Sequence, residues 1–157
     1  PVEALALVKA SAGNGEGVAY GSVVTMAQQQ SLARALDIGF DAADQAQHAL
    51  YFSLSRLARG YEFAKPDTQF RQAFKTTLGQ TPDSAANDGI VPTLSQPWGK
   101  CVAVALADHL DIIGHFSDAQ GKDHQYDWLK THSNFRQSAF RDVWQRVANF
   151  IIESEAT

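Results

Sequence analysis

The run KCVAVAL, from Lys100 to Leu106, constrains the fold of this chain more than any other stretch. It is short, continuously apolar after its first residue, and contains β-branched valines. A run of this kind is typical of a strand that is buried on both faces of a parallel sheet. Such a strand needs helices on its faces, so the run predicts an α/β fold.

Four segments are predicted as helices from apolar spacing and from their stop residues: Ser22 to Leu36, Asp41 to Leu57, Thr68 to Leu78, and Phe140 to Ile152. In the second, Asp41 is the expected N-cap and Gly60 the stop. Its expected core stripe is Ala43, Ala46, Leu50, Leu54 and Leu57. A stripe of this composition favours core packing over a substrate pocket.

The third predicted helix places Phe70, Phe74 and Leu78 four residues apart, between Asp67 and Gly79. The fourth carries the most regular amphipathic stripe of the chain, which comprises Phe140, Val143, Trp144, Val147, Ala148, Ile151 and Ile152. We expect it to pack on the sheet as a C-terminal helix.

The organisation changes at residues 81–87, where Pro, Asp, Ser and Asn indicate a connecting loop. Residues 1–80 are predicted to form a helical lid or cap region with a short N-terminal strand or turn. Residues 81–157 are predicted to form the core portion that carries the chemistry.

Net charge and hydropathy limit the classes of partner that are expected for this chain. The formal net charge is -4, and the basic residues form no run that could follow a phosphate backbone, which argues against nucleic acid. No apolar run reaches the roughly 20 residues that span a bilayer. The single cysteine, Cys101, is expected to be a buried packing residue. The chain begins at Pro1, so a removed leader would be invisible and both secreted and cytoplasmic locations stay open.

The chemistry is expected at Asp88 and His109. Asp88 lies in a turn, and His109 lies in the loop after the predicted strand. Side chains in such loops meet at the edge of a parallel sheet where α/β enzymes place their sites. A carboxylate that accepts a hydrogen bond from one ring nitrogen of a histidine fixes its tautomer and leaves the other nitrogen as a general base.

The motifs NDGIVP, SQPWGK and DHLDIIG occur in this order over residues 87–114. Together they resemble the C-terminal part of bacterial triacylglycerol lipases and related esterases of the α/β-hydrolase fold, over roughly residues 80 to 155. The resemblance implies that Asp88 is the acid and His109 the base of a catalytic triad. It also implies an apolar ester substrate and a helical lid ahead of the acid loop, which agrees with the predicted helices.

The resemblance further implies candidate ligands for a structural calcium ion. Asp111 matches the aspartate that follows the catalytic histidine in some of these lipases, and Asp67 is the candidate for a second aspartate ahead of the acid loop. His115 replaces the glutamine of the family, and imidazole is a poor ligand for a hard cation. This difference argues against calcium, and the predicted chemistry requires no other cofactor.

The nucleophile is missing. No G-x-S-x-G pentapeptide occurs in the 157 residues, nor an oxyanion loop of the HGGG type. Ser11 and Ser22 lie near glycines but lack a strand-elbow-helix context. Three interpretations follow. The chain is the C-terminal portion of a larger hydrolase, it is a subunit that receives its serine from another chain, or it is a degenerate relative of these enzymes. As a half-sheet, it is expected to leave an exposed edge that needs the missing partner.

Two alternatives from other classes stay open. One is a non-catalytic binding or assembly module derived from a hydrolase. The other is a metal-dependent hydrolase that uses His109, Asp111 and His115, whose H-x-D-x3-H spacing is common by chance.

Overall fold

The computed structural model of the chain describes residues 15–28, 42–117, 127–129, 131 and 133–155. Within these ranges the main elements are strand β1 (Gly21–Met26), helix α1 (Ala42–Leu57), helix α2 (Thr68–Leu78), strand β2 (Lys100–Leu106) and helix α3 (Gln137–Glu155). Short 3-10 turns at Thr93–Ser95 and Asp111–Ile113 flank β2.

The strands β1 and β2 form a two-stranded parallel sheet. Gly21 is opposite Lys100 at one end and Met26 is opposite Leu106 at the other, with an irregularity after Ser22. The predicted bounds of the strand Lys100–Leu106 are confirmed, as is the mixture of helices with a parallel sheet. Since both strands run in the same direction, their carboxyl ends lie at one edge of the sheet.

The helix predicted from Ser22 to Leu36 is wrong in its first part, because Gly21–Met26 is strand β1. The β-branched residues Val23, Val24 and Thr25 favour an extended backbone, and pairing with β2 buries Val24 completely. Residues 29–36 lie outside the described part of the chain. The region that was expected to form a helical lid or cap with a short N-terminal strand or turn therefore contributes strand β1 to the sheet.

Helices cover both faces of the sheet. On one face, Phe70 and Phe74 of α2 pack with Val24, Cys101 and Val104. On the other face, Val143 of α3 joins a cluster with Ala103, Ala105, Ala107, Phe116 and Phe135. The arrangement is a three-layer packing of α2, sheet and α3. It explains why β2 is apolar without alternation, since side chains on both of its faces contact a helix.

The predicted helix Thr68–Leu78 is confirmed with its two ends. The Asp67 carboxylate accepts a hydrogen bond from the Phe70 amide at the amino end, and Gly79 ends the helix with φ of 73°.

Helix α1 has the expected extent, but its expected core stripe is wrong. The buried residues are Tyr51 and Ser55, whereas Leu50 and Leu57 are 51% and 73% exposed. Tyr51 packs with Ala27 and Leu129, and Leu54 lies against this cluster. The helix is thus fixed by the face around one large aromatic ring, and it leaves its leucine-rich face in contact with solvent. The N-cap assigned to Asp41 lies outside the described residues.

Helix α3 begins and ends three residues beyond the predicted Phe140 to Ile152, and it packs on the sheet as expected. Within the predicted stripe Val143 is buried, Phe140 and Val147 are partly buried, and Trp144 is 44% exposed. Val143 is 4% exposed, whereas Ile151 and Ile152 are 51% and 65% exposed.

The outer edge of β1 is partly covered by the chain itself. Ala107 N–H donates to the carbonyl of Met26, so the backbone groups of Thr25 and Ala27 point to the opposite edge. There Ala27 N–H donates to the carbonyl of Asn87, and the Gln96 side chain binds both the N–H and the C=O of Thr25. The edge that was expected to be exposed is therefore occupied at its carboxyl end by residues 87–96.

Among the described helices, none is long and apolar enough to cross a lipid bilayer.

Candidate active site

Asp88 lies in a tight loop that its own side chain stabilises. The carboxylate oxygen Oδ1 accepts hydrogen bonds from the amides of Ile90 at 3.0 Å and Val91 at 2.7 Å, and the Asp88 amide donates to the carbonyl of Val91. An aspartate that bonds the amides two and three residues ahead is typical of an Asx-turn. The second oxygen, Oδ2, is left to contact groups outside the turn.

Gly89 allows this turn to lie against helix α1. Its φ is 97°, a conformation that residues with a side chain rarely adopt. A Cβ atom at this position would lie 2.8 Å from the Tyr51 ring. The glycine of the NDG motif is thus required by backbone conformation and by a close contact.

His109 is brought to Asp88 by the end of strand β2. The His109 amide donates to the Asp88 carbonyl at 2.9 Å, and the ring nitrogen Nδ1 lies 3.0 Å from Asp88 Oδ2. The Asp88 side chain is 2% exposed, while that of His109 is 44% exposed. A buried carboxylate therefore contacts one nitrogen of an imidazole that is itself accessible from solvent.

This geometry suits proton transfer. When Nδ1 carries the hydrogen and donates it to the carboxylate, Nε2 has a lone pair that can accept a proton from an acidic group. The buried carboxylate then stabilises the imidazolium that forms. The pair can move a proton, but it contains no nucleophile.

Two further side chains contact Asp88 Oδ2, and sequence reasoning missed both. Thr25 Oγ1 donates to it at 2.8 Å and Gln96 Nε2 at 3.3 Å. Gln96 belongs to the SQPWGK motif, but nothing in its spacing connects it with Asp88. Thr25 was hidden because its segment was predicted as a helix, whereas a strand would have placed it at a carboxyl end.

Two further carboxyl groups, those of Asp108 and Asp111, lie buried beside His109. The two residues are 0% and 2% exposed. Asp108 accepts hydrogen bonds from the amides of Leu110 and Asp111 and from the hydroxyl of Thr131. Asp111 accepts from the Asp108 amide and from the Ser133 hydroxyl. The pair thereby joins the loop of His109 to Thr131 and Ser133.

Burial is the main cause of unusual protonation in this pair. Burial, and then the charge of Asp111, raise the pKa of Asp108 to about 8, well above the ordinary 3.8. Burial also raises the pKa of Asp111 to about 6, with a smaller contribution from the charge of Asp127. Around neutral pH one of the two carboxyl groups therefore carries a proton.

The candidate calcium ligands do not come together. Asp67 caps α2 and contacts Gln69, which binds the carbonyl of Gly99 at the amino end of β2. Asp111 follows the other end of this seven-residue strand, so the two carboxylates are roughly 20 Å apart. They do not fit one ion. Nor does the described part of the chain contain any group of three or more His, Cys, Asp or Glu residues able to hold a metal ion. His109, Asp111 and His115 therefore do not form such a group.

Ser11 and Ser22 are the two serines that lie near glycines and were weighed as nucleophiles. Ser22 pairs with Cys101 near the start of β2 and binds the backbone of Trp98. It is thus separated from His109 by most of the strand length, roughly 15 Å. Ser11 lies outside the described residues. Among the residues that are described, no serine hydroxyl is hydrogen-bonded to the His109 ring.

Cys101 is partly buried and packs in the cluster between α2 and the sheet. Burial raises the pKa of its thiol, with a smaller effect from the charge of Asp67. A raised thiol pKa disfavours the reactive thiolate, which is consistent with a packing role.

Comparison of the chain with protein-family models, with curated proteins and with solved structures finds no match. The function must therefore be inferred from the residues and their geometry.

Proposed function

We propose that this chain is the C-terminal portion of a carboxylic ester hydrolase of the α/β-hydrolase class, which acts on lipid or other apolar acyl esters. The observation that carries the proposal is the contact between buried Asp88 and accessible His109 at the carboxyl end of a parallel strand. Active sites of α/β enzymes are placed at this end of the sheet. The resemblance of the NDGIVP and DHLDIIG motifs to lipases supports the same assignment.

In the proposed reaction, His109 Nε2 removes the proton from a serine hydroxyl as the serine attacks the ester carbonyl carbon. His109 then donates that proton to the leaving alcohol as the ester C–O bond breaks, which leaves an acyl-serine. In the second half, His109 removes a proton from the water molecule that attacks the acyl carbon, and it returns this proton to the serine oxygen as the acid leaves. Asp88 orients the ring throughout. The serine comes from an upstream segment or from another chain, because no nucleophile elbow occurs in these residues.

The preference for apolar substrates is supported by exposed apolar side chains near the pair. Ile90 follows Asp88 by two residues and is 40% exposed. Helix α1 contacts the Asp88 loop through Tyr51 and exposes Leu50 and Leu57, which share one face of the helix. Such a helix suits a lid that covers an acyl pocket, since its apolar face needs a covered state to become buried.

The test is to express the 157-residue chain alone and together with the sequence encoded upstream, and to assay p-nitrophenyl esters of several chain lengths. We expect activity only when the upstream segment is present. His109→Ala should abolish it, and His48→Ala is the matched control, because His48 contacts Tyr51 of the same helix α1 and not Asp88. Activity that survives His109→Ala in the longer protein would refute the assignment.

A non-catalytic assembly module is the second candidate. It is favoured by the exposed leucine-rich face of α1 and by the missing nucleophile. The coding sequence immediately upstream of Pro1 separates the two. A strand followed by G-x-S-x-G would support the enzyme, whereas a start codon at that position would support the module.

A further inference from the structure

Both oxygens of the Asp88 carboxylate are fully engaged inside the protein. Oδ1 accepts the two turn amides of Ile90 and Val91. Oδ2 accepts hydrogen bonds from Thr25 Oγ1 and Gln96 Nε2. It also lies 3.0 Å from Nδ1 of His109, which donates to it when Nδ1 carries the hydrogen. The turn sets the position of the carboxylate, while the two additional donors on Oδ2 determine where its second oxygen points.

The orientation of the Gln96 amide is fixed by strand β1. Its Oε1 accepts the N–H of Thr25 at 2.7 Å, and its Nε2 donates to the carbonyl of Thr25 at 3.1 Å. The amide therefore binds the strand as the backbone of a neighbouring strand would. Because Oε1 must face the Thr25 N–H, the Nε2 end must face Asp88, and the donor is set before any substrate binds.

The Thr25 hydroxyl is oriented by the same strand. Thr25 is 5% exposed, and its Oγ1 is 2.8 Å from Asp88 Oδ2 but 3.2 Å from Gln96 Oε1. A hydroxyl has one hydrogen to donate, and a carboxylate is the stronger acceptor. The shorter contact with the charged oxygen is therefore the one that receives the hydrogen.

We propose that Thr25 and Gln96 are positioning residues that fix the tautomer of His109 through Asp88. They hold Oδ2 facing Nδ1 of His109, so that a hydrogen on Nδ1 completes its set of donors. Without them the carboxylate is held only through Oδ1 by the amides of Ile90 and Val91. Oδ2 can then turn away from Nδ1, and the imidazole can carry its hydrogen on either nitrogen. The catalytic consequence rests on the proposed function, whereas the effect on the tautomer does not.

The tautomer can be measured in this chain without any activity. Nitrogen-15 labelling of its 5 histidines gives ring signals that distinguish Nδ1–H from Nε2–H at a pH where the rings are neutral, and His109→Ala identifies the signals of His109. We expect the parent chain to show His109 in the Nδ1–H form. Thr25→Val and Gln96→Met, which remove one donor each at similar volume, should lose that single form and show both tautomers.

Thr93→Val is the matched control. Thr93 is a buried threonine beside Thr25, but its hydroxyl donates to the Thr25 carbonyl rather than to Asp88. It should cost comparable stability and leave the His109 signals unchanged. Thr25→Ser keeps the hydroxyl and should restore the parent tautomer. A folded Thr25→Val or Gln96→Met variant with His109 wholly in the Nδ1–H form would overturn the proposal, as would an equal change in Thr93→Val.

Activity gives a second measurement in the longer protein. Loss of a hydrogen bond to a charged group should lower kcat about tenfold or more in Thr25→Val, with little change in KM, because the bond acts on the base rather than on substrate binding. If the tautomer shifts but the longer protein is inactive in every form, the proposed function fails while the positioning role of Thr25 and Gln96 stands.

Discussion

At the scale of single residues, Asp88 is the side chain on which the candidate site depends. It is buried, it bonds its own turn, and it contacts the accessible ring of His109. Asp88→Asn keeps the shape and the amide contacts of Oδ1, but it places an NH₂ group where Oδ2 accepts three donors. The His109 ring can then no longer donate from Nδ1.

We therefore expect Asp88→Asn to lower kcat of the longer protein on the order of 10³ to 10⁴-fold, as loss of the correct histidine tautomer does in serine hydrolases. The measurement is kcat at saturating ester. Asp83→Asn is the control, because Asp83 is an exposed aspartate that caps a turn of the same loop. A loss smaller than tenfold in Asp88→Asn would contradict the triad role.

Gly89 allows a prediction that is independent of activity. Gly89→Ala forces a side chain into a φ of 97° and places its Cβ 2.8 Å from the Tyr51 ring. We expect a loss of about 1 to 3 kcal/mol in the free energy of unfolding from strain, with a further cost from the contact. Gly60→Ala is the control, because Gly60 has φ of 82° and nothing within 4 Å of the added atom. Urea denaturation should show the larger loss for Gly89→Ala.

The meeting of Asp88 and His109 could be predicted from the sequence. Turn residues place Asp88 in a loop, and a short apolar run places His109 after a strand, so both were expected at one edge of the sheet. Thr25 and Gln96 were not found, because their contact with Asp88 depends on which edge of β1 the Asp88 loop covers. That is a tertiary property, and no local spacing in the sequence encodes it.

At the scale of elements, local signals predicted well where they were strong. Helix α2 and strand β2 have the expected bounds, because the first is set by Asp67 and Gly79 and the second by a continuous apolar run. The helix prediction for Ser22 to Leu36 was wrong in its first part. The helix-favouring Ala, Gln and Leu after residue 26 determined the prediction, although β-branched residues precede them. Pairing with β2 decided the outcome for Gly21–Met26.

The exposed edge of β2 leads to a prediction about Gln69. Its side-chain amide donates to the carbonyl of Gly99 and accepts from the N–H of Cys101, so it binds the strand edge from helix α2. Gln69→Ala should lower the free energy of unfolding by about 1 to 2 kcal/mol, since two backbone groups lose their partner.

Gln72→Ala is the control for this change, because Gln72 is exposed on the same helix. It should change the free energy of unfolding by less than about 0.5 kcal/mol. Equal effects of the two substitutions in urea denaturation would show that the edge contact of Gln69 contributes nothing.

At the scale of the whole molecule, the chain combines a well-covered sheet with surfaces that are left open. Both sheet faces contact helices, and residues 87–96 cover the carboxyl end of one edge. Yet the leucine-rich face of α1 and the end of α3 remain exposed. The α/β class could be predicted from one apolar strand. The edge that residues 87–96 cover could not be predicted, because it depends on tertiary contacts and not on local spacing.

The buried carboxyl pair makes the stability of the whole fold depend on pH. In the folded chain the pKa of Asp108 is about 8 and that of Asp111 about 6, whereas both have ordinary values near 3.8 when exposed. Between these values the native state binds more protons than the unfolded state. The contribution of this pair to the free energy of unfolding therefore falls as the pH rises from about 4 to about 8.

Asp108→Asn should remove most of this dependence, because an amide has no proton to lose and can still accept the amides of Leu110 and Asp111. We expect the variant to gain stability relative to the parent at pH 8 and to gain little at pH 5. Thermal unfolding at both pH values measures the difference. Asp142→Asn, which breaks an exposed pair with Arg146, should leave the slope unchanged. A parent chain that becomes more stable from pH 5 to pH 8 would contradict the raised pKa values of the pair.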